Sequence, residues 1–175
     1  MRVIAGEFRS RALQSLEGLE VRPTPDRLRQ RLFDVLATEV EGAVFLDAYA
    51  GTGAVGIEAL SRGAQRAIFI DKNKHAVAVI ERNLASLKLG SRARVIGGSA
   101  KLYIAAQKAD IAFVDPPYEL EDEYRLTLDA LARNATKLVI AQHDRRLALQ
   151  EAYGALKRTR EIRQGDNMLS FYRQS

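Results

Sequence analysis

The stretch Phe113-Val114-Asp115-Pro116-Pro117-Tyr118 sets a carboxylate, a stiff turn and an aromatic ring at the end of an apolar run. Those groups suit methyl transfer to the exocyclic amine of a nucleobase. Such an amine is a poor nucleophile because its lone pair is delocalised into the ring, so positioning and hydrogen bonding must supply the rate. The Asp115 carboxylate can accept one N–H of the amine and the Pro116 carbonyl the other, which aims the lone pair outward. Pro116 and Pro117 fix φ near −65° and remove N–H donors, and Tyr118 offers a face on which a base can stack. Read without the rest of the chain, the same residues describe a strand end, a Pro-Pro stop and a core aromatic.

A second constellation lies upstream, in Val44-Phe45-Leu46-Asp47-Ala48-Tyr49-Ala50-Gly51-Thr52-Gly53-Ala54-Val55-Gly56. It holds a literal G-x-G-x-x-G with Asp71 twenty positions beyond Gly51, which read mechanically is a dinucleotide fingerprint and implies an NAD(P)-dependent oxidoreductase. Asp47 argues otherwise, because a carboxylate at the strand end repels a pyrophosphate but attracts a sulfonium or ammonium cation. The spacing Asp-x-x-x-Gly-x-Gly therefore favours S-adenosyl-L-methionine, with Asp71 placed to accept ribose hydroxyls. Tyr49 is either packing or a wall of the donor pocket. Gly51, Gly53 and Gly56 without a ligand would serve tight strand-helix packing.

Both motifs need strand ends brought side by side. From Gly42 onward apolar runs alternate with helical stretches, the pattern of a parallel sheet covered on both faces. Strands are expected at Val44 to Asp47, Ala67 to Asp71, Ala93 to Ile96, Ile111 to Val114 and Leu138 to Ala141. Helices are expected near Ala54 to Ser61, Lys74 to Leu87, Ala100 to Gln107 and Asp122 to Ala132. Val77, Ile80, Leu84 and Leu87 fall at helical spacing and mark a core face. Ala155 to Arg163 and Met168 to Arg173, separated by Gly165-Asp166-Asn167, read as a closing antiparallel hairpin. Residues 1–41 read as a basic cap beside a catalytic unit of residues 42–175, the cap formed by a short hairpin of Val3-Ile4-Ala5-Gly6 with the stretch around Leu13 and by a helix from Pro25 to about Glu39, capped by Thr24.

At 175 residues and 47% hydrophobic, the chain supports one well-buried unit. It lacks a bilayer-length apolar run and a signal-peptide h-region, so a cytoplasmic protein without membrane contact is expected. It has no cysteine, which excludes disulfides, thiolate metal sites and the covalent cysteine adduct commonly used to methylate a pyrimidine carbon. Direct attack by nitrogen needs none of these. His75 and His143 are far apart with no third ligand at metal spacing, so no metal is expected. Net charge is +5, and the first 31 residues carry seven arginines against four acidic residues. Arginine forks onto phosphate and stacks on bases; solvated surface charge is the plainer account of any single one. The acids Glu119, Glu121, Asp122 and Glu123 suit the first turn of a helix, and nucleic acid should approach from the arginine-rich side instead. Glu58 reads as a helix residue, not a general base.

The chain resembles the bacterial small-subunit ribosomal RNA guanine-N2 methyltransferases along nearly its whole length. The residues that carry the likeness are Arg2-Val3-Ile4-Ala5-Gly6, Arg22-Pro23-Thr24, Asp47 to Gly53, Glu58-Ala59-Leu60-Ser61-Arg62-Gly63-Ala64 and Asp115 to Tyr118. The resemblance implies an α/β, Rossmann-like class I fold with a mostly parallel seven-stranded sheet and a reversed last strand. It implies methyl transfer from S-adenosyl-L-methionine to the N2 amine of a guanine in small-subunit RNA, free or in an assembling particle. Carried over, Asp47, Gly51 and Gly53 form the donor loop, with Tyr49 beside it, and Asp71 holds the ribose. Thr24 lines the cofactor mouth, and Asp115, Pro116, Pro117 and Tyr118 hold the base. Arg2, Arg9, Arg11 and Arg22 are the candidate RNA contacts. Two positions depart from the family pattern: Asp71 stands where Glu is commoner, and Ser99 stands where an acidic residue tends to face the adenine amine, leaving a weaker hydroxyl acceptor. A DNA adenine-N6 methyltransferase and a non-catalytic RNA-binding factor are the remaining alternatives. The first lacks a separate domain for reading duplex sequence. Nothing calls for a partner chain, so a monomer is expected.

Overall fold

The structure is a computed structural model that describes residues 1–17, 24–117 and 121–175. Its centre is one sheet in the order β3-β2-β1-β4-β5-β8-β7-β6. Strands β1 (Val44–Ala48), β2 (Arg66–Asp71), β3 (Ala93–Gly97), β4 (Ile111–Val114) and β5 (Leu138–Asp144) are parallel to one another. The hairpin β7 (Leu156–Gln164) and β8 (Asn167–Gln174) is antiparallel and inserts β8 directly against β5. Only Gly165 and Asp166 lie between its strands. Among the described residues the sheet has eight strands where seven were expected, because Ala152–Tyr153 adds a two-residue edge strand, β6, too short to leave a period in the sequence.

Two-residue alternation along the strands divides the core. Phe45, Phe69, Phe113 and Ile140 pack on one face with residues of α1 (Asp26–Leu36), α2 (Ala54–Ser61) and α3 (Lys74–Ser86). Leu46, Ile70, Val114 and Val139 pack on the other with α4 (Ala100–Tyr103) and α5 (Glu121–Arg133). Parallel strands buried on both faces explain the near-continuous apolar runs.

Two N-terminal expectations are corrected. α1 ends at Leu36 because Ala37 takes a left-handed φ of 45°, and a 3₁₀ turn follows over Ala37–Val40. Pro25, not Thr24, occupies its N-cap, and among the described residues no side chain caps it. A proline fixed near −65° is already suited to a helix start, and φ at Pro25 is −56°. The expected short hairpin is held by one antiparallel bridge, Arg2 to Ala12, with Val3 and Leu13 buried in the same core as α1.

Candidate active site

The sequence reads Phe-x-Asp three times, at Phe45-Leu46-Asp47, Phe69-Ile70-Asp71 and Phe113-Val114-Asp115, and the fold sets these three segments on neighbouring strands. The phenylalanines form a floor, 0–1% exposed, beneath three carboxylates at the strand ends. The carboxylates are not level. Asp47 pairs across both strands with Phe69 and Phe113, so it lies one side-chain layer deeper. Ala48 pairs with Ile70 and Val114; one step further on, Asp71 and Asp115 flank Tyr49, two strand spacings or about 10 Å apart. That repeat was present in the sequence as an unread signal.

Asp47 is buried and accepts the Gly56 N–H at 3.0 Å. Burial raises its carboxyl well above the ordinary range, and the charges of Asp115 and Asp71 add to the rise against that one hydrogen bond. A raised pKa favours the neutral acid, so Asp47 attracts a cation less strongly than its residue type suggests. Asp71 is half-buried, and its two oxygens accept the N–H groups of Gly51 at 2.8 Å and Asn73 at 2.9 Å. One carboxylate thus ties the glycine loop to the start of α3.

The turn from β1 into α2 and the first turn of that helix need their glycines for different reasons. Gly53 has φ of 82°, where a side chain is strained. Gly56 is held by packing, since a Cβ there would come within 2.3 Å of the Phe69 ring. Tyr49, also left-handed at φ 63°, donates its hydroxyl to Glu123 at 2.6 Å. Lys101 of α4 pairs with the same carboxylate at 3.1 Å. Burial pushes Glu123 up, but hydrogen bonds from Tyr49 and Lys101 outweigh it and hold the carboxyl below its usual value. Of the acids expected in the first turn of a helix, Glu123 of α5 is thereby turned inward.

Asp115 and Pro116 follow β4 directly, the first half-buried and the second buried, while Pro117 is exposed. Tyr118 and Arg22 lie outside the described residues. Ser99 is the N-cap residue of α4 and is half-buried; beside it the Tyr103 ring lies so close to Gly98 that a Cβ there would overlap it at 2.2 Å. Thr24 is half-buried just before α1. The described candidate arginines, Arg2, Arg9 and Arg11, are not gathered at this end. Arg11 bonds the Ser86 carbonyl, at the end of α3 remote from the strand ends, about 20 Å along a 13-residue helix. Arg9 lies in the same hairpin tip, and Arg2 folds onto the Ser10 carbonyl at 2.7 Å. Arg27 and Arg31, exposed on α1, stand nearer. Arg31 bonds the Arg163 carbonyl and the Gln164 side chain at the β7–β8 turn, and Arg27, Arg31 and Gln164 line, with Ile4, Asp26 and Gln30, an open groove of about 450 Å³.

Two buried side chains, Glu58, read in the sequence only as a helix residue, and Asn83, not singled out there, fasten the N-terminal segment to this framework. Glu58 is fully buried and accepts the N–H groups of Ile4 at 2.8 Å and Ala5 at 3.0 Å, and the Arg62 guanidinium at 2.9 Å. Asn83 receives Gln14 N–H at 2.7 Å and donates to the Thr52 carbonyl at 3.0 Å, so it links the N-terminal hairpin to the glycine loop. Their residue types on an apolar helix face were the available signal. Among the described residues no group of three or more potential ligands is placed to hold a metal, and no helix is long and apolar enough to cross a membrane.

The family described as conserved hypothetical protein 95 matches residues 1–173. This chain belongs to that family. It is 40% identical over 134 residues to the ribosomal RNA small subunit methyltransferase D of Escherichia coli strain K12, covering 74% of this chain and 67% of that protein. The protein of the same name from Haemophilus influenzae is 33% identical over 167 residues, 90% of this chain and 86% of its own length. The solved Escherichia coli chain yhhF superposes with a TM-score of 0.88 at 31% identity, covering 100% of this chain and 98% of that one. The fold is the Rossmann-like class I methyltransferase fold, a mostly parallel sheet completed by an antiparallel C-terminal hairpin.

Proposed function

We propose that this chain is an S-adenosyl-L-methionine-dependent methyltransferase acting on the exocyclic N2 amine of a guanine in small-subunit ribosomal RNA. The observation that carries the reading is the set of three carboxylates at adjacent strand ends, one of them leading into Asp115-Pro116-Pro117. A pyrophosphate is a poor match for that set, whereas a sulfonium cation with a ribose diol suits it, which disfavours the oxidoreductase alternative. S-adenosyl-L-methionine supplies an electrophilic methyl when bound. Asp71, with Gly51 and Gly53 of the loop it fastens, would hold the ribose and methionine portions, and Ser99 the adenine side. The Ribosomal RNA small subunit methyltransferase D relatives support RNA as the acceptor.

Asp115 and the Pro116 carbonyl accept the two N–H groups of the target amine and orient its lone pair away from both. No separate base is needed, because the nitrogen becomes acidic only after it gains the methyl, and its proton then passes to Asp115 or to water. Phosphates nearest the site meet Arg27 and Arg31 over α1, while Arg9 and Arg11 reach only more distant parts of the RNA.

The test is incubation with methyl-labelled S-adenosyl-L-methionine and, separately, naked small-subunit RNA, unmodified small-subunit particles and duplex DNA, followed by nucleoside analysis. Label in N2-methylguanosine is the expected result. Label in N6-methyladenine of DNA, or in no nucleoside despite donor binding, overturns the reading.

A further inference from the structure

Beside Asp115 in the sheet lies a buried amide that the reaction described above does not use. Val114 pairs with Ala141, so the next residues, Asp115 and Gln142, are lateral neighbours on strands about 4.8 Å apart. Both fall on the side of the sheet that carries Phe113 and Ile140. Gln142 is 7% exposed, and its side-chain Oε1 is buried without a hydrogen-bond partner among the described residues. Its backbone is fixed, since the Tyr124 hydroxyl donates to the Gln142 carbonyl. Tyr124 in turn senses the same corner: burial first, and then the charge of Asp115, raise its hydroxyl pKa.

A buried carbonyl without a partner is costly and rare in folded proteins, and a role in binding or catalysis is one explanation for it. What lies next to it is the group assigned to the N2 amine. On a guanine, the donor adjacent to N2 is the N1–H. Adenine presents a bare acceptor at N1 instead, which would face the Gln142 oxygen unfavourably. We infer that Gln142 Oε1 accepts the N1–H of the target guanine and so selects guanine over purines lacking that proton. The inference rests on the guanine-N2 reading of the site.

The experiment pairs one enzyme change with one substrate change. Gln142→Met keeps length and volume but removes the acceptor, and 2-aminopurine placed at the mapped target position keeps the N2 amine but lacks the N1–H. With guanine, Gln142→Met should lower kcat/KM by about 10- to 100-fold, the scale of one or two factors of ten per lost buried hydrogen bond. With 2-aminopurine the wild-type enzyme should already show that loss, and Gln142→Met should lose nothing further. Gln142→Glu, which still accepts, should retain most activity on guanine. Donor affinity by calorimetry should stay constant, and Gln142→Met should melt no lower than wild type because it removes an unsatisfied polar atom. Equal losses on both substrates, or no loss on guanine, would overturn the inference while leaving the guanine-N2 reading standing. Wild-type enzyme that forms no N2-methylguanosine would overturn both. If Gln142→Met does not fold, the Gln142→Glu and Gln142→Asn pair applies the same criterion, with Asn too short to reach and expected to lose the guanine preference.

Discussion

Asp71 and Asp115 stand level at the ends of β2 and β4, separated by β1, with Asp47 one layer beneath them. The arrangement separates two tasks by strand: Asp71 fastens the glycine loop, and in the proposed reaction Asp115 faces the acceptor. Asp115→Ala should therefore abolish methyl transfer while changing donor affinity less than about threefold, within the scatter of surface-level effects. Single-turnover transfer and calorimetric titration on the same preparation check this, and retained transfer would remove Asp115 from the mechanism.

Asp71→Asn should have the opposite profile. An amide has one acceptor oxygen, so it cannot receive both the Gly51 and Asn73 N–H groups that the carboxylate holds. Loss of one charge-assisted bond should weaken donor binding by about tenfold or more. The rate at saturating donor should fall much less.

Asp47→Asn tests the buried carboxyl. Its folded pKa is raised, so the folded state holds its proton more tightly than the unfolded chain, where an aspartate titrates near about 3.9. By linkage, folding stability falls as pH rises from that unfolded value through the raised one. Asparagine can still accept from Gly56 but carries no charge. The variant should therefore gain about 1 kcal/mol or more at neutral pH, roughly 2–4 °C in Tm, and gain nothing near pH 3.5. Melting curves across that range decide it.

Glu58→Ala should cost about 3–5 kcal/mol, because it leaves two N-terminal N–H groups and the Arg62 guanidinium without their acceptor in a buried setting. Glu58→Gln should cost less, since one oxygen remains. Denaturant unfolding measures both.

Charge reversal at Arg27 and Arg31 should raise KM for RNA about tenfold and flatten the salt dependence of binding by roughly one unit of slope per lost phosphate contact. Arg9→Ala with Arg11→Ala should do much less. Equal effects from the two pairs would place the RNA over the hairpin tip as well.

The strand ends and both motifs were legible because each is written locally: an apolar run, then an acid, then glycine or proline. The relative height of the three aspartates was not, since register between strands distant in sequence leaves no local mark. Nor could the sequence show that Glu58 is an anchor for Ile4 and Ala5, more than fifty residues away. Thr24 looked like a helix cap by residue type, but Pro25 already sets the required backbone angle. The arginine-rich start looked like one RNA face; the hairpin instead carries Arg9 and Arg11 to the far end of α3.

The insertion of β8 between β5 and β7 also orders events during synthesis. The chain emerges from its N-terminus, so β5 is made with its outer edge open, and β7 cannot close that edge because it lies one place too far out. Until residues 167–174 appear, the nascent sheet presents unpaired backbone groups along β5, the kind of edge that invites association with other chains. The sheet becomes complete only at the end of that strand, so neither β5 nor the neighbourhood of Gln142 is finished while the hairpin is still being made.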